Sequence, residues 1–111
     1  MSLLRKVLVA LALCLFTSSA FAQMENFVAT FQQAVTGTAS QFPSYTLYNG
    51  LTCFARSTNA APVYVGNSNV TTSTGIPLSP GQGWSSAVGN SSWIYAVTAS
   101  GATGYIDCWG N

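Results

Sequence analysis

Histidine is missing from this 111-residue sequence and charge is nearly missing, with 3 Lys or Arg and 2 Asp or Glu in total. Two of the cations, Arg5 and Lys6, sit at the extreme N-terminus. Glu25, Arg56 and Asp107 are therefore the whole ionised complement from residue 23 onward, a formal net charge of −1. Each shortage excludes a class of function. Without an imidazole there is no Ser–His or Cys–His nucleophile pair. One pair of cysteines and no histidine make no zinc site, and no acidic loop offers oxygen ligands to calcium. Nucleic acid and anionic membranes both call for several Lys and Arg on one face, and a single Arg meets neither requirement. Gly81-Gln82-Gly83 is too short for a phosphate cradle and lacks the downstream Gly or Lys. Glu25 and Asp107 would suit a paired-carboxylate hydrolase only if folding brought them together, and nothing in their positions does so. The expectation is a chain that is not an enzyme, holds no cofactor or metal and binds no nucleic acid.

Long apolar runs are also scarce, and the one present has a local explanation. Val7 to Phe16 is almost unbroken, preceded by Arg5-Lys6 and followed by Ser18-Ser19-Ala20-Phe21-Ala22. A positive start, a short apolar middle and a small-x-small end form a secretory signal peptide, too short to span a bilayer stably. Residues 1–22 are read as this removed signal. A lipoprotein signal at Cys14 would want a small residue where bulky Leu13 stands. No later stretch is long and apolar enough to cross a membrane, so the product is expected to be exported: periplasmic, extracellular or carried on a virion.

Once Cys14 leaves with the signal, Cys53 and Cys108 remain, 55 positions apart. In an oxidising compartment such a pair reads as a disulfide, the other arrangement being two separate buried thiols. Closing a loop of that length stabilises by about 4 kcal/mol on the chain-entropy account, a large share of what so small a domain possesses.

Along the exported chain, Met24, Phe27, Val28, Phe31 and Val35 are spaced three, one, three and four apart. That spacing predicts an amphipathic helix of about three turns, with Glu25 at the positive end of its dipole and Gly37 at its stop. The stripe packs on the chain's own sheet or docks on a neighbouring subunit. Residues 23–44 are read as this helix and a linker, and residues 45–111 as a β domain. Asn49-Gly50 lies between Tyr45-Thr46-Leu47-Tyr48 and Leu51-Thr52-Cys53-Phe54-Ala55, a strong hairpin signal. Leu51, Cys53 and Ala55 share one face of the second strand; Thr52, Phe54 and Arg56 share the other.

Pro62 to Gly83 organises the middle of the chain: Val63-Tyr64-Val65 stops at Gly66, an uncharged connector follows, and Ile76 and Leu78 point to a core before a turn at Pro80-Gly81. A weak strand is expected over Trp84 to Ala87, a turn at Gly89-Asn90, and a strand over Ser92 to Thr98. A last strand runs from Gly104 to Trp109, with Ile106 and Cys108 opposed to Tyr105, Asp107 and Trp109. The fold class that results is mainly β: a small antiparallel β-sandwich or barrel preceded by one amphipathic helix and closed by one disulfide.

Val63-Tyr64-Val65-Gly66-Asn67-Ser68-Asn69-Val70-Thr71-Thr72, then Gly75-Ile76-Pro77-Leu78-Ser79-Pro80-Gly81, resembles a small β domain of bacteriophage virion proteins, namely head-decoration, fibre and minor structural proteins. Trp93-Ile94-Tyr95-Ala96-Val97-Thr98-Ala99-Ser100-Gly101 is similar to the strand that follows in such domains. The likeness runs from about residue 58 to residue 107 and implies a compact β-sandwich used for assembly or surface display. Tailed-phage proteins assembled in the cytoplasm carry neither an export signal nor a disulfide. The resemblance therefore implies a phage extruded through the envelope, or a bacterial surface or appendage subunit with a similar domain.

The binding candidates are aromatic. Trp84, Trp93, Tyr95, Tyr105 and Trp109 fill the core and cap its ends. If instead Trp93, Tyr95, Tyr105 and Trp109 share an exposed face, they form a sticky platform suited to a sugar or to another subunit. Arg56 and Asp107 are expected to pair across neighbouring strands because Cys53 and Cys108 lie close to them, and Arg56 is also a candidate ligand contact. Asn69-Val70-Thr71 and Asn90-Ser91-Ser92 match the glycosylation pattern, but the signal has a bacterial form and they are read as loop residues. The functional expectation is an exported structural subunit whose partners are copies of itself or other structural subunits. The alternative is a monomeric module that binds a surface glycan or receptor.

Overall fold

Alternation of inward and outward side chains builds most of the molecule. A computed structural model describes residues 28–111, so residues 1–22, expected to be a signal peptide, and Met24, Glu25 and Phe27 lie outside the described residues. The strands are β1 Ala29–Val35, β2 Ser40–Gln41, β3 Leu51–Ala55, β4 Val63–Gly66, β5 Ile76–Leu78, β6 Gly83–Ser86, β7 Tyr95–Val97 and β8 Gly104–Gly110. A single 3-10 turn, Ser91–Trp93, precedes β7 and is capped by the Asn90 side chain. They form two four-stranded antiparallel sheets, β1-β8-β3-β6 and β2-β7-β4-β5, with one apolar core between them. No helix among the described residues is long and apolar enough to cross a membrane.

Val35, Leu51, Ile106 and Cys108 reach the core from the first sheet, and Val63, Val65, Leu78 and Ala96 from the second. Phe42, Leu47 and Ile94 close it from the connections. Each fully buried Val, Leu or Ile contributes roughly 1.5–3 kcal/mol of transfer free energy. The expected faces of β3 and β8 are observed: Leu51, Cys53, Ala55, Ile106 and Cys108 are inside. Cys53 and Cys108 are direct partners in the β3–β8 ladder and form a disulfide, with Cα atoms 4.1 Å apart.

Several expectations are corrected. Ala29–Val35 is a strand, not the end of a helix, paired along its whole length with β8. The apolar spacing misled because β1 carries a polar residue inward and an apolar one outward. Gln33 faces in and donates its amide to Ser40 Oγ and to the Gln41 carbonyl, each at 3.0 Å, while Ala34 faces out. Of the proposed docking stripe, Val28 is exposed ahead of β1, Val35 is buried, and Phe31 packs edge-on to Phe42 at 5.3 Å. Because β1 and β2 each supply a strand to one sheet, the sandwich begins well before Tyr45.

The Asn49-Gly50 hairpin is also absent. Thr46 makes only an isolated bridge, to Asn90, and β3 pairs with β6 and β8. The backbone N–H groups of Tyr48 and Asn49 both donate to the Asn111 carbonyl, at 2.8 and 2.7 Å, so a long-range contact takes the place of the local turn. The strand expected over Ser92–Thr98 is shortened to β7 by the 3-10 turn at its start. The turn at Pro80-Gly81 is present, with Gln82 donating to the Ser79 carbonyl at 2.8 Å and Gly81 at φ +84°, where a side chain would be strained. Ile76, expected in the core, is half exposed because β5 is an edge strand.

Replacing both cysteines with alanine is expected to lower the unfolding free energy by about 2–5 kcal/mol. The measurement is the urea midpoint of the oxidised protein against the double variant. An unchanged midpoint would mean that the two strands hold together without the crosslink.

Candidate functional site

The first sheet presents an outward face whose composition follows from its register. Opposite Trp109 on β8 stand Thr30 on β1 and Thr52 on β3; opposite Asp107 stand Gln32 and Phe54. Ala34 lies opposite Tyr105. One strand further, Ser85 of β6 accompanies Thr52, and the two hydroxyls are 3.0 Å apart. Phe54, Tyr105 and Trp109 are 47, 42 and 49% exposed, which is unusual area for three aromatic rings on one sheet surface. Four residue steps of strand separate the Tyr105 and Trp109 backbones, about 13 Å, and Phe54 lies diagonally between them on the next strand.

Asp107 and Arg56 occupy the middle of this face. Arg56 Nε donates to Asp107 Oδ2 at 3.1 Å and an Nη to Oδ1 at 2.6 Å, the two-pronged geometry that matches a guanidinium to a carboxylate. The guanidinium carbon also sits 4.7 Å from the centre of the Tyr105 ring. The hydrogen bond to Asp107 is the main cause that raises the Arg56 pKa above its ordinary value, against a smaller opposing effect of desolvation. Since the folded value is raised, the stabilisation it represents is complete below the ordinary arginine value and fades only as pH climbs past the folded one. Arg56 thus stays charged at any physiological pH. Among the described residues Arg56 and Asp107 are the only charged side chains, and they neutralise each other.

A side chain that sequence reasoning passed over holds the end of this face. Asn59, in the connection after β3, donates its amide to the Tyr105 carbonyl at 2.9 Å and accepts from the Tyr105 N–H at 2.8 Å. It stands in for a strand where β3 has ended, and Arg56 N–H shares the same carbonyl at 3.1 Å. Its one sequence signal is an Asn in a Ser-Thr-Asn loop, which says turn and not strand surrogate. Beside β8, a shallow open depression of about 480 Å³ has Thr30, Gln32 and Asp107 on its rim.

Of the aromatics expected to fill the core, only Trp84 packs against it, while Trp93, Tyr105 and Trp109 are exposed; the four offered instead as one platform are divided. Tyr105 and Trp109 lie on β8 in the first sheet, whereas Tyr95 is on β7 in the second and Trp93 on the turn that leads into it. Sheets that share a core turn their outward faces away from each other, so no single surface holds all four. Trp93 is the most exposed of them at 63%, and its ring lies beside Gly89. Tyr95 is half buried between Gln41 and Gly66. Phe54, which the alternation of β3 turns outward, joins Tyr105 and Trp109 on the first sheet. Asp107 is committed to Arg56, and Glu25, the other carboxylate, lies outside the described residues.

Asn59→Ala is expected to cost about 1–3 kcal/mol, because it strips the Tyr105 N–H of its partner. Amide exchange at Tyr105, measured by NMR, is expected to accelerate beyond the change in global stability; an unaltered rate would show that the amide is held some other way. No protein-family model, curated protein or solved structure matches the chain.

Proposed function

We propose that this chain is an exported, non-enzymatic structural subunit that works by adhesion, assembling through its β domain into a virion or into a cell-surface or extracellular structure. The observation that carries this reading is the outward face of the first sheet: three half-exposed aromatic rings around an ion pair that cancels its own charge. Protein interfaces are enriched in Tyr, Trp, Phe and Arg, and this face holds all four, with its one acidic residue neutralised by the Arg. Exposed aromatic rings on so uncharged a molecule have little to keep them from a partner. The resemblance of Val63–Gly81 and Trp93–Gly101 to phage virion domains supports a setting in which such surfaces meet, and the disulfide suits an oxidising one.

A second reading rests on a different feature of the same face. The paired Arg56 and Asp107 groups, with Thr52 and Gln32 close by, offer hydrogen bonds beside flat rings, the combination by which a monomeric module grips a glycan or receptor.

Trp109→Ser and Tyr105→Ser separate a working surface from a structural one. Both rings are half exposed, so each change is expected to cost no more than about 1–2 kcal/mol, for lost strand propensity and, at Tyr105, the lost contact with Arg56. Assembly, followed by sedimentation velocity across a concentration series, is expected to weaken at least tenfold in the double variant. A wild-type chain that stays monomeric at every concentration and binds glycans on an array, with binding lost in the double variant, would replace the subunit reading by the second one.

A further inference from the structure

β1 forms an open edge of the first sheet. Arg56 N–H bonds the Tyr105 carbonyl, so Tyr105, Asp107 and Trp109 direct their peptide groups toward β3 and the residues between them direct theirs toward β1. The same alternation, carried through the β1–β8 register, turns the peptide groups of Thr30, Gln32 and Ala34 away from the sheet. No strand among the described residues takes them up.

Sheet edges are ordinarily guarded by brevity, proline or charge. β2 is two residues long and is followed closely by Pro43; β5 has three residues with Pro77 in the middle; β6 has four and begins at Gly83. β1 has seven residues, Ala-Thr-Phe-Gln-Gln-Ala-Val, with no charge, proline or glycine. It alone of the four edges lacks a guard.

We infer that two copies of this chain join β1 to β1, antiparallel about a two-fold axis through Gln32, into one continuous eight-stranded sheet. The inference rests on the assembling-subunit reading and names its first contact. With the axis at Gln32, Thr30 of each copy faces Ala34 of the other and Gln32 faces its own counterpart, so every outward peptide group finds a complement. Moving the axis to Phe31 or Gln33 leaves part of the edge unpaired. A strand without charge brings no like charges together at the axis, and the facing Gln32 amides can donate and accept reciprocally. A two-fold joint places both aromatic faces on the same side, doubling the adhesive surface. It is also closed, so growth beyond a dimer must use another surface.

The test uses the exported, oxidised chain in sedimentation velocity and light scattering, with two variants at the axis. In Gln32→Pro the missing N–H is one that points away from the sheet, so the internal ladder is kept; Gln32→Lys sets two cations face to face. The wild type is expected to be a dimer or a multiple of one, and each variant is expected to halve the mass of the smallest species while near-ultraviolet circular dichroism stays native. In the wild type the amides of Thr30 and Ala34 are expected to resist exchange, and in the variants to exchange freely. An oligomer that neither variant disturbs would overturn β1 pairing and leave the assembly reading standing. A wild-type monomer at all concentrations would overturn both, and protected Thr30 and Ala34 amides in that monomer would assign the edge to the chain's own preceding segment.

Discussion

The pairing of β8 with β3 governs both surfaces of the first sheet. In a pleated strand a slip of one residue exchanges the inner and outer faces, so the register of these two strands decides what is core and what meets the outside. Ile106 and Cys108 are apolar where they face in, which biases the register, and the bond from Cys108 to Cys53 makes it covalent. With Cys53 opposite Cys108, Phe54 has to stand opposite Asp107 and Arg56 has to reach it from one step further along. The ion pair, the cation over the Tyr105 ring and the exposure of Trp109 all descend from that alignment.

What the rest of the chain does around this frame is shaped by its shortage of charge. Most small proteins stay apart because their surfaces repel, and they specify partners through scattered ions. Here polarity is supplied by hydroxyls and amides, several of which are occupied within the chain. Thr71 and Thr74 bond each other and the local backbone, Asn90 caps the 3-10 turn, and Ser91 donates to the Pro43 carbonyl and accepts from Tyr45 N–H. No buried side-chain nitrogen or oxygen among the described residues lacks a partner. Such a surface carries little net charge with which to attract or repel.

Legibility in the sequence followed the regularity of alternation. β3 and β8 could be read with the correct faces because every inward position there, Leu51, Cys53, Ala55, Ile106 and Cys108, is apolar. The Arg56–Asp107 pair was foreseeable because the cysteines set the alignment. β1 was unreadable as a strand because Gln33 is inside, made tolerable by two hydrogen bonds to β2 that no local pattern announces. The Asn49-Gly50 signal failed for a related reason: the peptide groups it would have used are taken by Asn111, sixty-odd residues further along the chain. Division of the aromatics between sheets was hidden as well, since sheet membership is a fact of topology. Asn59 as a strand surrogate was hidden most completely, its role consisting only of whom it meets.

Cys53 and Cys108 lie on the inward face, at 0 and 5% exposure, beneath the strands that they join. A dissolved thiol can attack that bond only after the sandwich has parted, so the crosslink survives for as long as the chain stays closed. Redox conditions after folding then matter little while the native state persists, and chemical durability becomes a property of the unfolding rate.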